Sequence, residues 1–164
     1  LIRAVVDDLA FIEADAVLRP SDASLEPVTA SAVRLDRQAG PAFADQRRIS
    51  MPLEAGAAVI TGSGELAAPY VLHVIIQDAQ TLTTRDTVRR ALTSAWQQAA
   101  EWGLASVAAS PVGAGAGLLD VEEAAELMTA TFPRDGAVLQ QLTIVVERED
   151  DLAVVEAAIR RAER

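Results

Sequence analysis

"GLASVAASPVGAGAGLLDVEEAAELM", Gly103 to Met128, carries in one stretch the features that decide the fold. Leu104–Ser110 is a short apolar run of strand length. Pro111 and glycines at 113, 115 and 117 then form a loop. Asp120 with Glu123 makes a capping box, Asp replacing the usual Ser or Thr, for a helix over about 121–131 with Val121, Ala124 or Ala125, and Met128 inward. Strand, glycine loop and helix form the unit of an α/β domain, and loops at the carboxyl ends of its strands are where ligands bind. The loop has two readings. It is a plain turn, or it is an anion cradle in which glycine brings backbone N–H groups close to a phosphate. It has no Lys followed by Ser or Thr and lacks the setting of a dinucleotide fingerprint, so neither common nucleotide loop fits. The start of the following helix favours an anion, whereas Asp120 and Glu122 oppose one.

The same alternation extends outward in both directions. "IRAVV" (2–6) and "DAVLRP" (15–20) read as strands, the second ended by Pro20 on entering a loop. "VTASAVRLDRQAG" (28–40) places Val28, Ala32, Leu35 and Ala39 on one helical face, with Gly40 and Pro41 as the stop. Residues 41–55 are polar and mixed. "AAVITGSG" (57–64) reads as a strand with a glycine turn, and "YVLHVII" (70–76) as a strongly apolar strand. Residues 83–103 form the clearest helix, capped by Thr83 or Thr84 and closed by Gly103. "VLQQLTIVVE" (138–147) is a strand, and the chain closes as a helix with Leu152, Val155 and Ile159 inward. Apolar strands separated by amphipathic helices predict an α/β fold of three layers, α/β/α. The short link between 57–61 and 70–76 predicts an antiparallel pair, hence a central mixed sheet. The whole length, 1–164, reads as one domain.

Composition narrows the function classes. Hydrophobic residues make up 51% and aromatics 4%, so the core is built of Val, Leu, Ile and Ala. The absence of Cys excludes disulfides, thiol nucleophiles and thiolate metal sites. With one histidine, zinc binding is not expected, and no metal or cofactor is assigned. A formal charge of -10 argues against non-specific nucleic-acid binding, which needs a basic surface, but leaves room for a small anion held by backbone N–H groups. No apolar run reaches the length of a membrane span, and the first residues carry no signal-like pattern, so a cytoplasmic location is the expectation.

Single residues carry less. Thr61, Gly62 and Ser63 in "TGSGEL" are phosphate donors or a local turn. His73, inside an apolar strand, reads as a core or sheet-face histidine rather than a catalytic one. Asp22 lies just beyond Pro20, where an acid serves as a base or caps a turn. No base partner is visible for Ser21, Ser24 or Ser63, and there is no nucleophile elbow.

Taken together, the stretches "VDDLAFIEADAVLRPSD", "EAGAAVITGSGELAAPYVLHVI" and "ALTSAWQQAAEWGLASVAASPVGAGAG", with the terminal strand and helix, resemble the macro domain, an ADP-ribose-binding α/β/α module. The resemblance covers nearly the whole chain. It implies that Asp8 accepts from the adenine amine, that backbone donors of Gly113, Ala114, Gly115 and Ala116 hold the diphosphate with Gly117 making the turn, and that Ser21, Thr61, Gly62 and Ser63 lie along the cleft. The family's Asn-Ala-Ala-Asn site is here Arg19, Pro20, Ser21 and Asp22, so Asp22 is the one candidate catalytic residue. The glycine-rich stretch expected next is replaced by "SLEPVTAS", where Glu26 adds negative charge and Pro27 removes a donor. Half of the implied cradle is kept and half altered. Three functions follow: a binder of ADP-ribose or a related nucleotide diphosphate; a structural or protein-interaction module that has lost the ligand; and a weak ADP-ribosyl hydrolase, the least expected. A cleft filled by Arg19, Glu26 or the Pro27 loop would favour the second.

Overall fold

The protein is described by a computed structural model covering residues 1–116, 119–134 and 136–164. Six strands, β1 (Ile2–Val6), β2 (Ala16–Asp22), β3 (Ala58–Gly62), β4 (Tyr70–Gln77), β5 (Ser106–Ala109) and β6 (Gln141–Val146), form one sheet in the order β1-β6-β5-β2-β4-β3. Five strands are parallel and β3 runs antiparallel along β4, which is the mixed sheet expected from the short 57–76 connection. Helices α1 (Ala30–Ala39) and α2 (Phe43–Gln46) cover one face. Helices α3 (Arg85–Glu101), α4 (Val121–Thr131) and α5 (Glu149–Ala162) cover the other. The result is a three-layer α/β/α domain.

Alternation along each strand divides the core. Ala16 and Leu18 of β2 join Leu72, Val88, Leu92, Met128 and Ile144 under α3–α5. Val17 faces Leu35, Phe43, Val71 and Val145 under α1 and α2. The helix ends follow local chemistry. Thr84 and Asp120 each form the capping box that starts α3 and α4, and Thr29 Oγ1 accepts from the Ala32 N–H at the start of α1. Several elements are a few residues shorter than their sequence reading, and two differences go further. The strand over 15–20 continues to Asp22, past Pro20, because β2 pairs with β5 only at Ala16 and Val17 and is one-sided beyond them. A strand with a single partner tolerates a missing N–H. The polar segment 41–55 contains α2, whose Phe43 is buried against the sheet.

Arg19 is the least expected core residue. It is fully buried on the α1/α2 face of β2. Its Nε and Nη2 donate to the two carboxylate oxygens of Asp36 on α1 at 2.7 and 2.8 Å. Its Nη1 donates to the Leu25 carbonyl at 2.8 Å and lies 3.2 Å from His73 Nδ1 on β4. His73 accepts there through Nδ1, so its proton sits on Nε2 and is donated to Thr61 Oγ1, 2.8 Å away on β3; that hydroxyl donates to the Gly62 carbonyl. Phe43 stacks on the His73 ring at 5.9 Å, and the Arg19 and Arg47 guanidinium groups lie 5.7 and 5.8 Å from its centroid. Arg47 adds a second bond to the Leu25 carbonyl at 3.0 Å. One polar network thus ties β2, β3, β4, α1, α2 and the loop over residues 23–29. A buried cation is tolerated only when paired and hydrogen-bonded, and this one is both.

Two stability tests follow. Asp36→Asn leaves Arg19 buried without its counter-charge, and urea unfolding at pH 7 is expected to show a loss of about 3–5 kcal/mol; a loss below about 1 kcal/mol would contradict the assignment. The second concerns pH. Burial first, and then the charges of Arg19 and Arg47, lower the His73 pKa from 6.5 to about 3. The unfolded chain binds a proton at His73 as pH falls through about 6.5, while the folded chain stays neutral there until about pH 3. The His73 contribution is therefore complete above pH 6.5 and declines toward pH 3 with a limiting slope of about 1.4 kcal/mol per pH unit. Measured unfolding free energies of His73→Gln should fall less steeply between pH 6.5 and 4 than those of the wild type; parallel curves would exclude His73 as the source.

Candidate functional site

The topology itself marks a crevice. β2 and β5 are neighbours, yet the chain leaves β2 for α1 on one face and leaves β5 for α4 on the other. Beyond the carboxyl ends of such a strand pair the two connections diverge and leave a cleft, the usual ligand position in open α/β sheets. The groove lies on the β5 side of this point, with no residue of β2 in its lining, and has two adjoining parts. The first, about 380 Å³, lies between the ends of β1, β6 and β5 and helix α1, with Asp7, Asp8, Leu9, Leu35 and Gln38 among its lining residues. The second, about 200 Å³, reaches toward the starts of α4 and α5 and includes Pro111, Ala114, Val121, Arg148 and Asp151. Ser31, Arg34, Ser110, Val145 and Glu147 line both.

Its charges are mixed. Asp8 stands at one end; its Oδ1 accepts the Ala10 N–H at 2.9 Å and caps the short turn Leu9–Phe11. Asp7 accepts the Asp8 N–H at 2.7 Å. Arg34, on the first two turns of α1, pairs with Glu147 just beyond β6 and spans the place where the two parts meet. Both partners of that pair are more than half exposed (51% and 64%), so the pair itself is worth no more than about 1 kcal/mol. Arg34 is thus a cation that an anionic ligand can recruit at little cost. Neither Arg34 nor Ser31 nor Ser110 is picked out by sequence reasoning. A charge on a helix face has the same pattern whether it faces water or a groove, and only the placement of α1 against β2 and the Leu9–Phe11 turn distinguishes them.

The glycine loop borders the second part of the groove through Ala114. Gly113 has φ +97°, and a Cβ there would lie 2.6 Å from a Leu119 methyl and 3.0 Å from a Val88 methyl, so this glycine is required both by backbone conformation and by close packing. The N–H groups of Ala114 and Ala116 donate to the Pro111 and Gly113 carbonyls at 3.3 and 3.4 Å. Two of the four expected donors are therefore already engaged in turns within the loop, by bonds long enough to be weak. Gly115 has φ +81° and, among the described residues, nothing close to its Cβ position. Gly117 lies outside the described residues.

Two other placements differ from expectation, and Asp22 takes the turn-capping alternative. Thr61, Gly62 and Ser63 do not lie beside this groove. β3 is antiparallel, so its carboxyl end meets Tyr70, the first residue of β4, at the opposite end of the sheet from Asp22 and Gln77. Thr61 instead bonds His73, and Ser63 is buried. Ser21 is also withdrawn. It is fully buried, its backbone bridges Pro27, and its hydroxyl has no hydrogen-bond partner among the described residues. Asp22 Oδ1 accepts the Ser24 and Glu26 N–H groups at 2.8 and 3.0 Å, which is the turn-capping role. The carboxyl end of β2 is thereby closed, with Arg19, Ser21 and Leu25 all fully buried beneath it.

Comparison with known proteins places this geometry. The macro domain family profile matches residues 22–128. An uncharacterised protein of Mycobacterium tuberculosis is 26% identical over 157 residues, a match that spans 95% of this chain but only 44% of that relative. An uncharacterised protein of Aeropyrum pernix is 29% identical over 165 residues, covering 99% of this chain and 87% of its own. The Trypanosoma brucei macrodomain in complex with ADP-ribose superposes with a TM-score of 0.84 at 18% identity, covering 96% of this chain and 68% of the other. The Oceanobacillus iheyensis macrodomain with ADP gives 0.76 at 19%, covering 96% and 89%. The profile match takes in more than half of the chain, from the end of β2 through β3, β4, α3, β5 and the glycine loop to most of α4, and the mixed six-stranded sheet agrees with it: the chain belongs to the macro domain family.

Proposed function

We propose that the groove between α1 and the ends of β1, β6 and β5 binds an adenine nucleotide carrying a diphosphate, a ligand of the ADP-ribose class. The observation that carries this reading is the order of chemistry along one groove at the switch point of the sheet. Asp8, an acceptor suited to an exocyclic amine, stands at one end. Ser31, Arg34 and Ser110 supply polar and cationic groups in the middle, and the glycine loop at Ala114 borders the far end. The joined volume falls in the range of small-molecule sites. The macrodomains of Trypanosoma brucei and Oceanobacillus iheyensis, similar in fold, hold ADP-ribose and ADP. In this chain the phosphate charge is met chiefly by Arg34, because two of the loop's N–H groups are engaged internally.

Catalysis is not part of the proposal. Asp22, the one acid at the altered motif, has a carboxylate oxygen committed to two backbone donors and lies outside the groove lining. An acid outside the groove is not positioned to activate water against a ligand bound in it. A second reading, an interaction module without a ligand, is favoured by one observation: the closed β2 end, where Arg19 and Leu25 occupy the interior.

Isothermal titration with ADP separates the two. Saturable heat with the protein at high micromolar concentration is expected; a flat titration leaves the module reading. Arg34→Ala should weaken ADP binding about tenfold or more, the loss of one charge-assisted contact to phosphate. Glu147→Gln, which frees Arg34 and removes a like charge, should keep or tighten it. If Arg34→Ala binds ADP as the wild type does, the phosphates lie elsewhere.

A further inference from the structure

We infer that the groove is built for a nucleotide that ends at its second phosphate, ADP in preference to ADP-ribose, because the β2 end of the cleft is plugged. The inference rests on the nucleotide reading above. A base set against Asp8 places the diphosphate over the shared middle of the groove, at Ser31, Arg34 and Ser110. A group carried beyond the second phosphate then has two ways to go. Toward β2 the groove does not extend: no residue of β2 or of the 23–29 segment lines it. Arg19, Ser21 and Leu25 are each fully buried there, and Pro27 bridges Ser21. Toward α5 the groove ends at Arg148 and Asp151, which pair with each other at 3.6 Å, so a sugar in that direction has no unpaired group to bind.

The plug is held by bonds of its own. Leu25 has φ +62°, the left-handed region that a large side chain seldom occupies, and it keeps that conformation while fully buried. Its carbonyl accepts from both the Arg19 and Arg47 guanidinium groups, at 2.8 and 3.0 Å. Arg19 is in turn fixed by both oxygens of Asp36. A ligand group entering this volume would have to displace a buried cation from its paired carboxylate. The chemistry of the terminal phosphate points the same way. In ADP it bears three free oxygens and close to two negative charges at neutral pH, as a phosphomonoester does. In ADP-ribose the same phosphorus is esterified and bears a single negative charge. Arg34 therefore gains more from ADP.

The test is a ligand series by isothermal titration on the unmodified chain: ADP, ADP-ribose and AMP. ADP is expected to bind at least about tenfold more tightly than ADP-ribose, with AMP also weaker than ADP. ADP-ribose binding as tightly as ADP, or more tightly, would overturn the inference while leaving the nucleotide reading intact. Absence of binding by all three overturns the nucleotide reading itself. Leu25→Gly supplies an independent arm. Glycine suits the positive φ, and its substitution removes the buried side chain, so the preference for ADP should narrow severalfold in the folded variant. An unchanged ratio in that variant would show that the plug is not the cause, and the wild-type ratio stands apart from the variant's stability.

Discussion

A guanidinium group buried in the interior of a sheet must have its charge and all its donors answered, and the arrangement around Arg19 follows from that requirement. Asp36 supplies the charge, which sets the rotation of α1 over β2. The Leu25 carbonyl supplies an acceptor, which draws the loop after β2 inward and holds a leucine at positive φ. His73 supplies a neutral acceptor nitrogen, which fixes its tautomer and leads to the bond with Thr61 on the edge strand. Each of these contacts is local, but together they join five elements through one charge.

The consequence for function is an uneven cleft. The carboxyl ends of β1, β6 and β5 remain open against α1, and the end of β2 is closed. Asp8 lies on the open side, and Arg19–Asp22 with the segment that follows form the closed side. An acidic chain with a formal charge of -10 still presents a usable cation in the groove, because Arg34 is bound only by an exposed pair.

Much of the fold was legible in the sequence because it depends on local signals. Thr84, Asp120 and Gly40 mark helix ends, and the apolar runs at 70–76 and 138–147 locate β4 and β6. The antiparallel pair followed from the shortness of one connection. The site was less legible. Thr61, Gly62 and Ser63 have the composition of a phosphate turn, but the direction of β3, a property of the assembled sheet, carries them to the wrong end. Arg34 and Ser31 look like solvated positions on α1 until the helix is set across the groove from the end of β6. Arg19 could be noted as a departure from the family motif. Its partner Asp36, 17 residues further on, sits among several charges of a surface helix and is identified only by packing.

Amide shift mapping by NMR during titration with ADP tests the central claim most directly, since it reads where the ligand sits rather than how tightly it binds. The largest changes are expected at Asp8, Ser31, Arg34, Ser110 and Ala114, with the amides from Asp22 to Glu26 and from Thr61 to Ser63 left nearly unmoved. Changes centred on Asp22–Glu26 would mean that the β2 end opens to ligand, and would contradict the account.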